Sequence, residues 1–421
     1  MKKFYTILAI SAAIAAVGCT KVNVDENATP DRKIGYQVAN YATQTRSGSE
    51  TSFLDELSDL GITTEQFFMS KAYINADNGA GSTVLSEFYS PNPDSIKWNA
   101  TSTEWEPSKD YYWPKSPNSN LDFFSWYDFK GVAPSLTYNG TTATLAWTNR
   151  TVYSKDDVLY ANVAWHQNKN LETYQLDGVS EGVPTLFHHA LAQVKFAAKI
   201  KAGCDKKLDS KNPGDSTFWT VILSEVKIAA SSVHNNGTLS LSITDPETKT
   251  NSTTWTLPSN SVWANAADPA YVGQTDWFTT DFATGVDSLT LSYNNLSDTE
   301  QMPNGFITVR PQAVTDAMKL TFKMTIKSYY GSSFAAAVAA GVKTTEVIPV
   351  TAFSTTAADA YTANGLQLNK ITGAPAYWAM NTKTVYNIII DPSTSTILYD
   401  PAVEPWANET DNEIEVPKPE A

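Results

Sequence analysis

Apolar and polar residues alternate with a period of two in one segment of this chain after another. Every second residue is apolar in residues 194–200, and the pattern recurs at 239–243, 289–293 and 320–326. Such alternation predicts strands with one buried face. Because no long amphipathic helix separates these segments, the sequence predicts an all-β fold of antiparallel β-sandwiches rather than a parallel sheet covered by helices.

Three short stretches depart from this alternation. Residues 52–60 begin with a capping-box pattern and end before Gly61, which predicts a short helix. The alanine-rich residues 334–340 predict a helical turn or an inserted loop. In residues 121–127, apolar side chains occupy both faces, so this strand is predicted to be covered on both sides.

The first 18 residues have the form of a bacterial lipoprotein signal. Lys2 and Lys3 precede an apolar run too short to span a bilayer, and small residues lead into Cys19. This pattern predicts cleavage before Cys19 and lipid attachment to its thiol, which would hold the protein at a membrane. Thr20, rather than an acidic residue, follows the cysteine and favours the outer membrane. An ordinary signal peptide with an incidental cysteine is the alternative.

Composition limits the partners and the covalent chemistry. The net charge of −14 argues against a nucleic acid or an anionic lipid surface as a partner. With Cys19 lipidated, Cys204 would be the only remaining thiol, so no internal disulfide is expected. Stability must then come from core burial and strand pairing.

The length of the chain predicts two domains. Its 421 residues exceed what one hydrophobic core usually serves. We expect residues 19–46 to form an N-terminal segment, residues 47–180 the first domain and residues 181–421 the second. The boundary is placed in the polar, glycine-bearing residues 168–182.

The sequence offers little material for catalysis or metal binding. It has four histidines, and no metalloprotease, nucleophile-elbow or phosphate-loop motif is present. His188 and His189 are neighbours in a predicted strand, so they point to opposite faces and cannot chelate one metal ion together. We expect one to be packed and the other exposed. No enzymatic activity, catalytic residue, metal or cofactor is expected.

Tryptophans are concentrated in the first half of the chain. Exposed tryptophans can stack on sugar rings, whereas buried ones fill the core. Core packing is the favoured interpretation, and the alternative function is a monomeric outer-membrane lipoprotein that binds glycans through exposed tryptophans. The residues are Trp98, Trp105, Trp113, Trp126, Trp147 and Trp165.

A series of aromatic and apolar motifs follows the lipoprotein signal. They are YWP at 112–114, LDFFSWY at 121–127, DVLYA at 157–161, FHHALAQVKF at 187–196, Trp378, VYNIII at 385–390 and VEPW at 403–406. In this order and spacing the sequence resembles the fimbrillin (Mfa-like) family, the subunits of type V pili.

The resemblance implies two transthyretin-like antiparallel β-sandwich domains in tandem, on a lipoprotein exported to the outer membrane and cell surface. It implies a structural subunit of an adhesive fimbria. The implied partners are other fimbrial subunits, in a homo- or hetero-polymer, and a receptor on host or bacterial surfaces. In that family an arginine-specific protease removes an N-terminal segment with the first strand, and the C-terminal strand of the next subunit fills the groove.

The N-terminal residues fit such processing. Residues 34–42 predict a strand, and the polar residues 43–49 that follow are open to a protease. Arg46 and Ser47 are therefore the expected cleavage site. A cut at Arg32 would leave the strand in place, and Arg46 as an ordinary loop arginine is the other alternative.

The C-terminal residues 396–421 offer a candidate donor strand. Its apolar anchors are Ile397, Leu398, Tyr399, Val403 and Trp406. Burying four such side chains contributes on the order of 6 to 12 kcal/mol before ordering costs. The alternative is that residues 397–399 pair within their own domain. Pro401 and Pro405 restrict the route of a donor strand, because proline cannot donate a ladder hydrogen bond.

Overall fold

The computed structural model confirms the all-β fold, since strands make up nearly all of the regular structure that it describes. Cys19, Arg46, Ser47, Trp406 and residues 52–60 lie outside the described residues. The described residues are 33–40, 66–77, 83–116, 118–153, 156–168, 182–201, 204, 206–228, 233–246, 256–257, 263–265, 288–292, 307–349, 354–355, 361–362, 365–370, 373–392 and 396–405.

Eleven strands are described between residues 33 and 189, where the alternation is densest in aromatic residues. They are β1 Tyr36–Asn40, β2 Phe67–Asp77, β3 Thr83–Glu87, β4 Asp94–Asn99, β5 Glu104–Pro107, β6 Asn120–Asp128, β7 Ser135–Tyr138, β8 Thr142–Thr151, β9 Val158–Ala161, β10 Ala164–Gln167 and β11 Val183–His189.

The described residues from 192 onward form a further sixteen strands, one α-helix and a short 3₁₀ helix at Leu368–Lys370. They are β12 Ala192–Ile200, β13 Lys206–Leu208, β14 Ser216–Ile228, β15 Asn236–Thr244, β16 Ala264–Asn265, β17 Ser288–Ser292, β18 Ile307–Val309, β19 Gln312–Ala313, β20 Lys319–Gly331, α1 Phe334–Ala339, β21 Thr344–Pro349, β22 Ser354–Thr355, β23 Tyr361–Thr362, β24 Gly365–Gln367, β25 Tyr377–Trp378, β26 Thr382–Asp391 and β27 Thr396–Pro405. The period-two segments thus fall in β12, β15, β17 and β20, as predicted, and the alanine-rich stretch is helical.

Seven strands form a closed circuit of hydrogen-bonded neighbours. The order β1, β5, β4, β2, β6, β9 and β11 returns to β1, while β3 and β10 attach to β2 and β6. β1 runs parallel to β11, with Tyr36 opposite Val183, and antiparallel to β5, with Tyr36 opposite Trp105. Closure removes the free edges that would otherwise invite pairing with another chain. β1 is therefore the strand on which the closure between β11 and β5 depends.

A four-stranded sheet lies beside this circuit in the order β16, β15, β8, β7. β15 pairs antiparallel with β8, from Asn236 opposite Thr151 to Thr244 opposite Thr142. Both β11 and β15 follow residue 180, where we expected the first domain to end. These pairings extend the sheets of the first half past that point, and the division into two domains remains a proposal.

Two apolar clusters fill this part of the protein, and β6 contributes to both. Its residues 121–127 are all buried, as predicted for a strand covered on both sides. Leu121 and Phe123 pack in the cluster that contains β1. Phe124 and Trp126 pack in the cluster between the two sheets, together with Leu239 of β15.

The remaining sheets belong to the second half of the chain. One has the order β18, β12, β26, β27, β22, and the other has β13, β14, β20, β24, β23, with β17 on β14 and β21 on β20. β12 and β26 run parallel, whereas β26 and β27 form an antiparallel pair from Thr382 opposite Pro405 to Asp391 opposite Thr396. Among the described residues, no helix combines the length and the hydropathy needed to cross a membrane.

Candidate functional site: the slot that holds the first strand

β1 occupies a slot between β11 and β5, and its sequence explains why. Ile34, Tyr36 and Val38 alternate with residues that are half-buried, so three apolar side chains point inward, where each is at most 3% exposed. The backbone is tied on both sides: the Ile34 amide donates to the Tyr111 carbonyl over 2.8 Å, and the Gly35 carbonyl accepts from the Val183 amide over 2.8 Å. Each fully buried apolar side chain of this kind contributes about 1.5 to 3 kcal/mol.

Tyr36 has a polar partner at the bottom of the slot. Its hydroxyl donates to Ser70 Oγ over 2.9 Å and lies 2.6 Å from the Tyr89 hydroxyl. Ser125 Oγ in turn donates to Ser70 Oγ over 3.0 Å. Burial raises the pKa of Tyr36 and of Tyr89, so both phenols stay protonated at neutral pH. We call Ser70, Tyr89 and Ser125 the hydroxyl pocket.

Aromatic rings form the walls of the slot around Tyr36. The Tyr36 ring meets Phe68 edge to face at 5.5 Å between centroids and Phe123 at 5.9 Å. Phe68 also contacts Phe187 of β11 at 5.2 Å and Trp105 of β5 at 5.3 Å. Edge-to-face contacts of this kind stabilise a core beyond the area they bury. Without β1, these apolar rings and the backbone edges of β11 and β5 would face water.

Gly182, which directly precedes β11, is required for close approach of the two backbones. A Cβ atom on Gly182 would lie 2.8 Å from the Gln37 amide nitrogen and 2.9 Å from the Tyr36 carbonyl carbon. Both atoms belong to the backbone of β1, so a side chain there would displace the strand. The slot is thus fitted to a strand at this one separation from β11.

A salt bridge lies at the entrance of the slot. Lys33 Nζ is 2.7 Å from Asp110 Oδ1 and 3.7 Å from Glu106 Oε2. The hydrogen bond that Lys33 donates to Asp110 raises the pKa of Lys33. Because these groups are partly exposed, the pair adds little to stability compared with the three buried side chains.

The predicted donor residues lie in β27, within the sheet of their own chain. Ile397, Leu398 and Tyr399 pair with Ile390, Ile389 and Ile388 of β26, and Val403 pairs with Thr384. On its other side β27 pairs only with the two residues of β22 in the described part of the chain. β27 is therefore hydrogen-bonded to β26 along its whole length, but to β22 only at its N-terminal end. Its role as a donor strand stays a prediction.

The structure places most of the six tryptophans in the core. Five of the six tryptophans are at most 3% exposed, and only Trp98 is half-buried. Their rings fill the two clusters, as Trp105 and Trp147 illustrate. Since a buried ring cannot stack on a sugar, core packing accounts for these five tryptophans, and the glycan-binding alternative stays a prediction.

The two adjacent histidines also differ from expectation, because both are buried. His188 is 6% exposed, stacks on Tyr160 at 5.4 Å and has Nε2 2.9 Å from Asn162 Oδ1. His189 is 5% exposed, and its Nδ1 lies 3.1 Å from Asp157 Oδ2. Both faces of β11 are covered at its last three residues, so the expected exposed histidine is also covered. No group of three or more His, Cys, Asp or Glu side chains among the described residues is placed to hold a metal ion.

Sequence reasoning identified the inserted strand but missed the hydroxyl pocket. Ser70 and Tyr89 lie 34 and 53 residues from Tyr36, so no local pattern joins them. One signal was present: Ser70 occupies an inward position of β2 between Phe68 and Ala72, which are both fully buried. A hydroxyl at such a position indicates a buried partner.

The family model for fimbrillin-like proteins matches residues 78–406 of the chain. This chain belongs to the fimbrillin-like family. The family consists of structural proteins rather than enzymes, and membership implies a fimbrial subunit at the cell surface that associates with other fimbrial subunits. No curated protein matches the chain.

Several solved structures are similar to this fimbrillin-like chain at low identity. A fimbrial protein from Bacteroides vulgatus is 14% identical, with 90% of this chain and 100% of that chain covered and a TM-score of 0.48. A candidate cell adhesion protein from Bacteroides uniformis is 12% identical, with 90% and 100% covered and a TM-score of 0.34. The tip fimbrial protein Mfa3 from Porphyromonas gingivalis, with a C-terminal truncation, is 9% identical, with 81% and 95% covered and a TM-score of 0.25.

Proposed function

We propose that this protein is a subunit of an adhesive surface fimbria that polymerises by donor-strand exchange. In this proposal it is exported as a lipoprotein on Cys19 and held at the outer membrane. Cleavage between Arg46 and Ser47 then releases β1, and the slot receives the C-terminal strand of another subunit. The observation that carries the proposal is the place of β1 in the closed circuit, because its loss would expose two strand edges and an apolar groove at once.

The distribution of arginines supports the choice of cleavage site. The chain has four arginines. Arg150 and Arg310 are 3% and 1% exposed, so burial protects both from a protease. The other two, Arg32 and Arg46, stand on either side of β1 in the sequence. Only a cut at Arg46 separates β1 from the body of the subunit.

The proposal is tested by treating the purified full-length chain with an arginine-specific protease. We expect a new N-terminus at Ser47 and a ladder of oligomers on gels of unheated samples. Heating the samples should dissociate these oligomers into monomers. Arg46→Ala should abolish the ladder, whereas the matched variant Arg32→Ala should keep it. A processed protein that stays monomeric would overturn strand exchange. Cys19→Ser, which removes the lipid acceptor, should shift the protein out of the membrane fraction, and unchanged membrane retention would overturn the lipid anchor.

A further inference from the structure

The slot of β1 accepts a narrow class of strands. An occupant must bring apolar side chains at the first, third and fifth positions, where Ile34, Tyr36 and Val38 now lie. At the third position it must also bring a hydroxyl group that reaches the hydroxyl pocket. An apolar residue there would leave the buried Ser70 and Tyr89 hydroxyls without the partner that they now share.

One segment of the C-terminal region has this pattern. The occupant of the slot reads IGYQV at 34–38, and the start of β27 reads ILYDP at 397–401. When the two segments are aligned in the same chain direction, Ile397 matches Ile34 and Tyr399 matches Tyr36. Tyr399 is also the only tyrosine after Tyr386 in the sequence, so no other residue of β27 could supply the phenol.

The remaining positions of this alignment are compatible with the slot. Leu398 falls at Gly35, where a Cβ atom would meet only the Trp105 carbonyl oxygen, at 3.8 Å. Asp400 falls at Gln37, which is half-exposed and can be replaced by a charged residue. Thr396 falls at the exposed Lys33.

Pro401 falls at Val38 in this alignment, and the slot can accept a proline there because the Val38 amide makes no ladder hydrogen bond. The Gly35 carbonyl bonds to β11 and the Ile34 amide bonds to the opposite side. Because successive residues of a strand point their backbone groups to opposite sides, the amide of Val38 also points away from β11. On that side β1 pairs with β5 at Tyr36 only. A proline at this position therefore removes no ladder hydrogen bond with β11 or β5.

We propose that Tyr399 of one copy of this chain takes the place of Tyr36 in another copy, with its hydroxyl bonded to Ser70 and Tyr89. The inference rests on the proposed strand exchange and adds its register, which places residues 397–401 of the donor on residues 34–38 of the slot. The donor is thereby a second copy of this chain, selected by a phenol at one position.

The register is tested by cysteine pairs at the interface. In β1, Ala39 lies opposite Leu186 of β11, and Ala402 takes the place of Ala39 in the proposed alignment. Ala402→Cys combined with Leu186→Cys should give a reducible covalent ladder after cleavage and oxidation. The matched pair Asp400→Cys with Leu186→Cys should not, because the alignment places Asp400 opposite Pro184. Both pairs are made in a Cys204→Ser background, and cleavage removes Cys19.

The phenol is tested separately by removing a single oxygen atom. Tyr399→Phe keeps the ring but leaves the hydroxyl pocket without a partner, so oligomers should dissociate roughly tenfold faster in mild denaturant. Tyr153→Phe, which alters a tyrosine that is 46% exposed, should have no effect.

The outcomes separate the register from the exchange itself. A ladder that forms with Ala402→Cys and is weakened by Tyr399→Phe supports the proposal. Oligomers that form normally but crosslink through Asp400→Cys, or through neither pair, overturn the register while strand exchange stands. Oligomers of unchanged stability with Tyr399→Phe overturn the role of the phenol. If the parent protein forms no oligomers after cleavage, strand exchange and the register are both overturned.

Discussion

At the scale of single residues, burial sets the behaviour of the polar groups around the circuit. Arg150 on β8 forms a bidentate ion pair with Asp128, in which Nε lies 2.8 Å from Oδ2 and Nη2 lies 2.9 Å from Oδ1. The same Nη2 atom lies 2.9 Å from Asp156 Oδ1. All three side chains are at most 2% exposed. Burial raises the pKa of Asp156, and Arg150 opposes that rise. The guanidinium thus keeps two buried carboxylates compatible with each other.

Replacing Arg150 should therefore be costly. Arg150→Met keeps most of the side-chain volume but leaves the carboxylates of Asp128 and Asp156 buried without a cation, so we expect a loss of about 3 to 5 kcal/mol in the free energy of unfolding at neutral pH. Urea denaturation measures it. Lys130→Met, at an exposed lysine nearby, should change the value by less than about 0.5 kcal/mol. Equal effects of the two substitutions would contradict the role given to the buried cation.

His188 should make the stability depend on pH. Burial, together with the charge of His189, lowers the pKa of His188 to about 4. In the unfolded chain this histidine has its ordinary pKa of 6.5. Between pH 6.5 and pH 4 the unfolded chain therefore binds a proton at His188, whereas the folded chain does not. Stability from this site is thus complete above pH 6.5 and falls as the pH drops toward 4, by on the order of 3 kcal/mol.

The measurement is a set of urea curves from pH 7 to pH 4 for the parent and for His188→Gln. Glutamine can still donate to Asn162 but does not titrate in this range. The free energy of unfolding of the parent should fall relative to that of His188→Gln as the pH falls. Parallel pH profiles for the two proteins would rule out this assignment.

At the scale of elements, β1 shows what a local pattern can and cannot predict. The alternation in residues 34–42 predicts a strand, and the structure has one at Tyr36–Asn40. The pattern cannot name its neighbours, because pairing with β11 joins residues almost 150 positions apart through backbone groups that every residue carries. The hydroxyl pocket is hidden for the same reason, since its members come from three separate strands or loops.

The closeness of β1 and β11 can be tested at Gly182. Gly182→Ala would place a methyl group against the backbone of β1, so β1 should dock less tightly, at a cost of about 1 to 3 kcal/mol. Hydrogen exchange should become at least tenfold faster at residues 36–40, because β1 then opens more often, while exchange in β12 stays unchanged. Gly214→Ala, where a Cβ atom would meet nothing within 4 Å, is the control. Unchanged hydrogen exchange in β1 would show that the backbones of β1 and β11 move apart without a loss of stability.

At the scale of the whole molecule, the all-β class follows from the sequence, whereas the division of the chain into domains stays a prediction. Composition marks residues 168–182 as a linker, yet β11 and β15 beyond it complete the sheets of the first half. A polar stretch between strands shows where a connection runs. It does not show whether the next strand joins the same sheet, because that choice depends on which apolar faces remain uncovered.

A fragment that ends at residue 180 should therefore fail to fold. It lacks β11, which pairs with both β1 and β9, and it lacks β15, whose Leu239, Leu241 and Ile243 pack in the same cluster as Trp147. Without them the fragment exposes two strand edges and an apolar face, so we expect weak near-ultraviolet circular dichroism and no cooperative thermal transition. Co-expression with residues 181–421 as a separate chain should restore both signals, because the missing strands are then supplied in trans. A cooperative transition in the fragment alone would instead show that β1 to β10 form a self-sufficient domain and that β11 and β15 add to an already stable core.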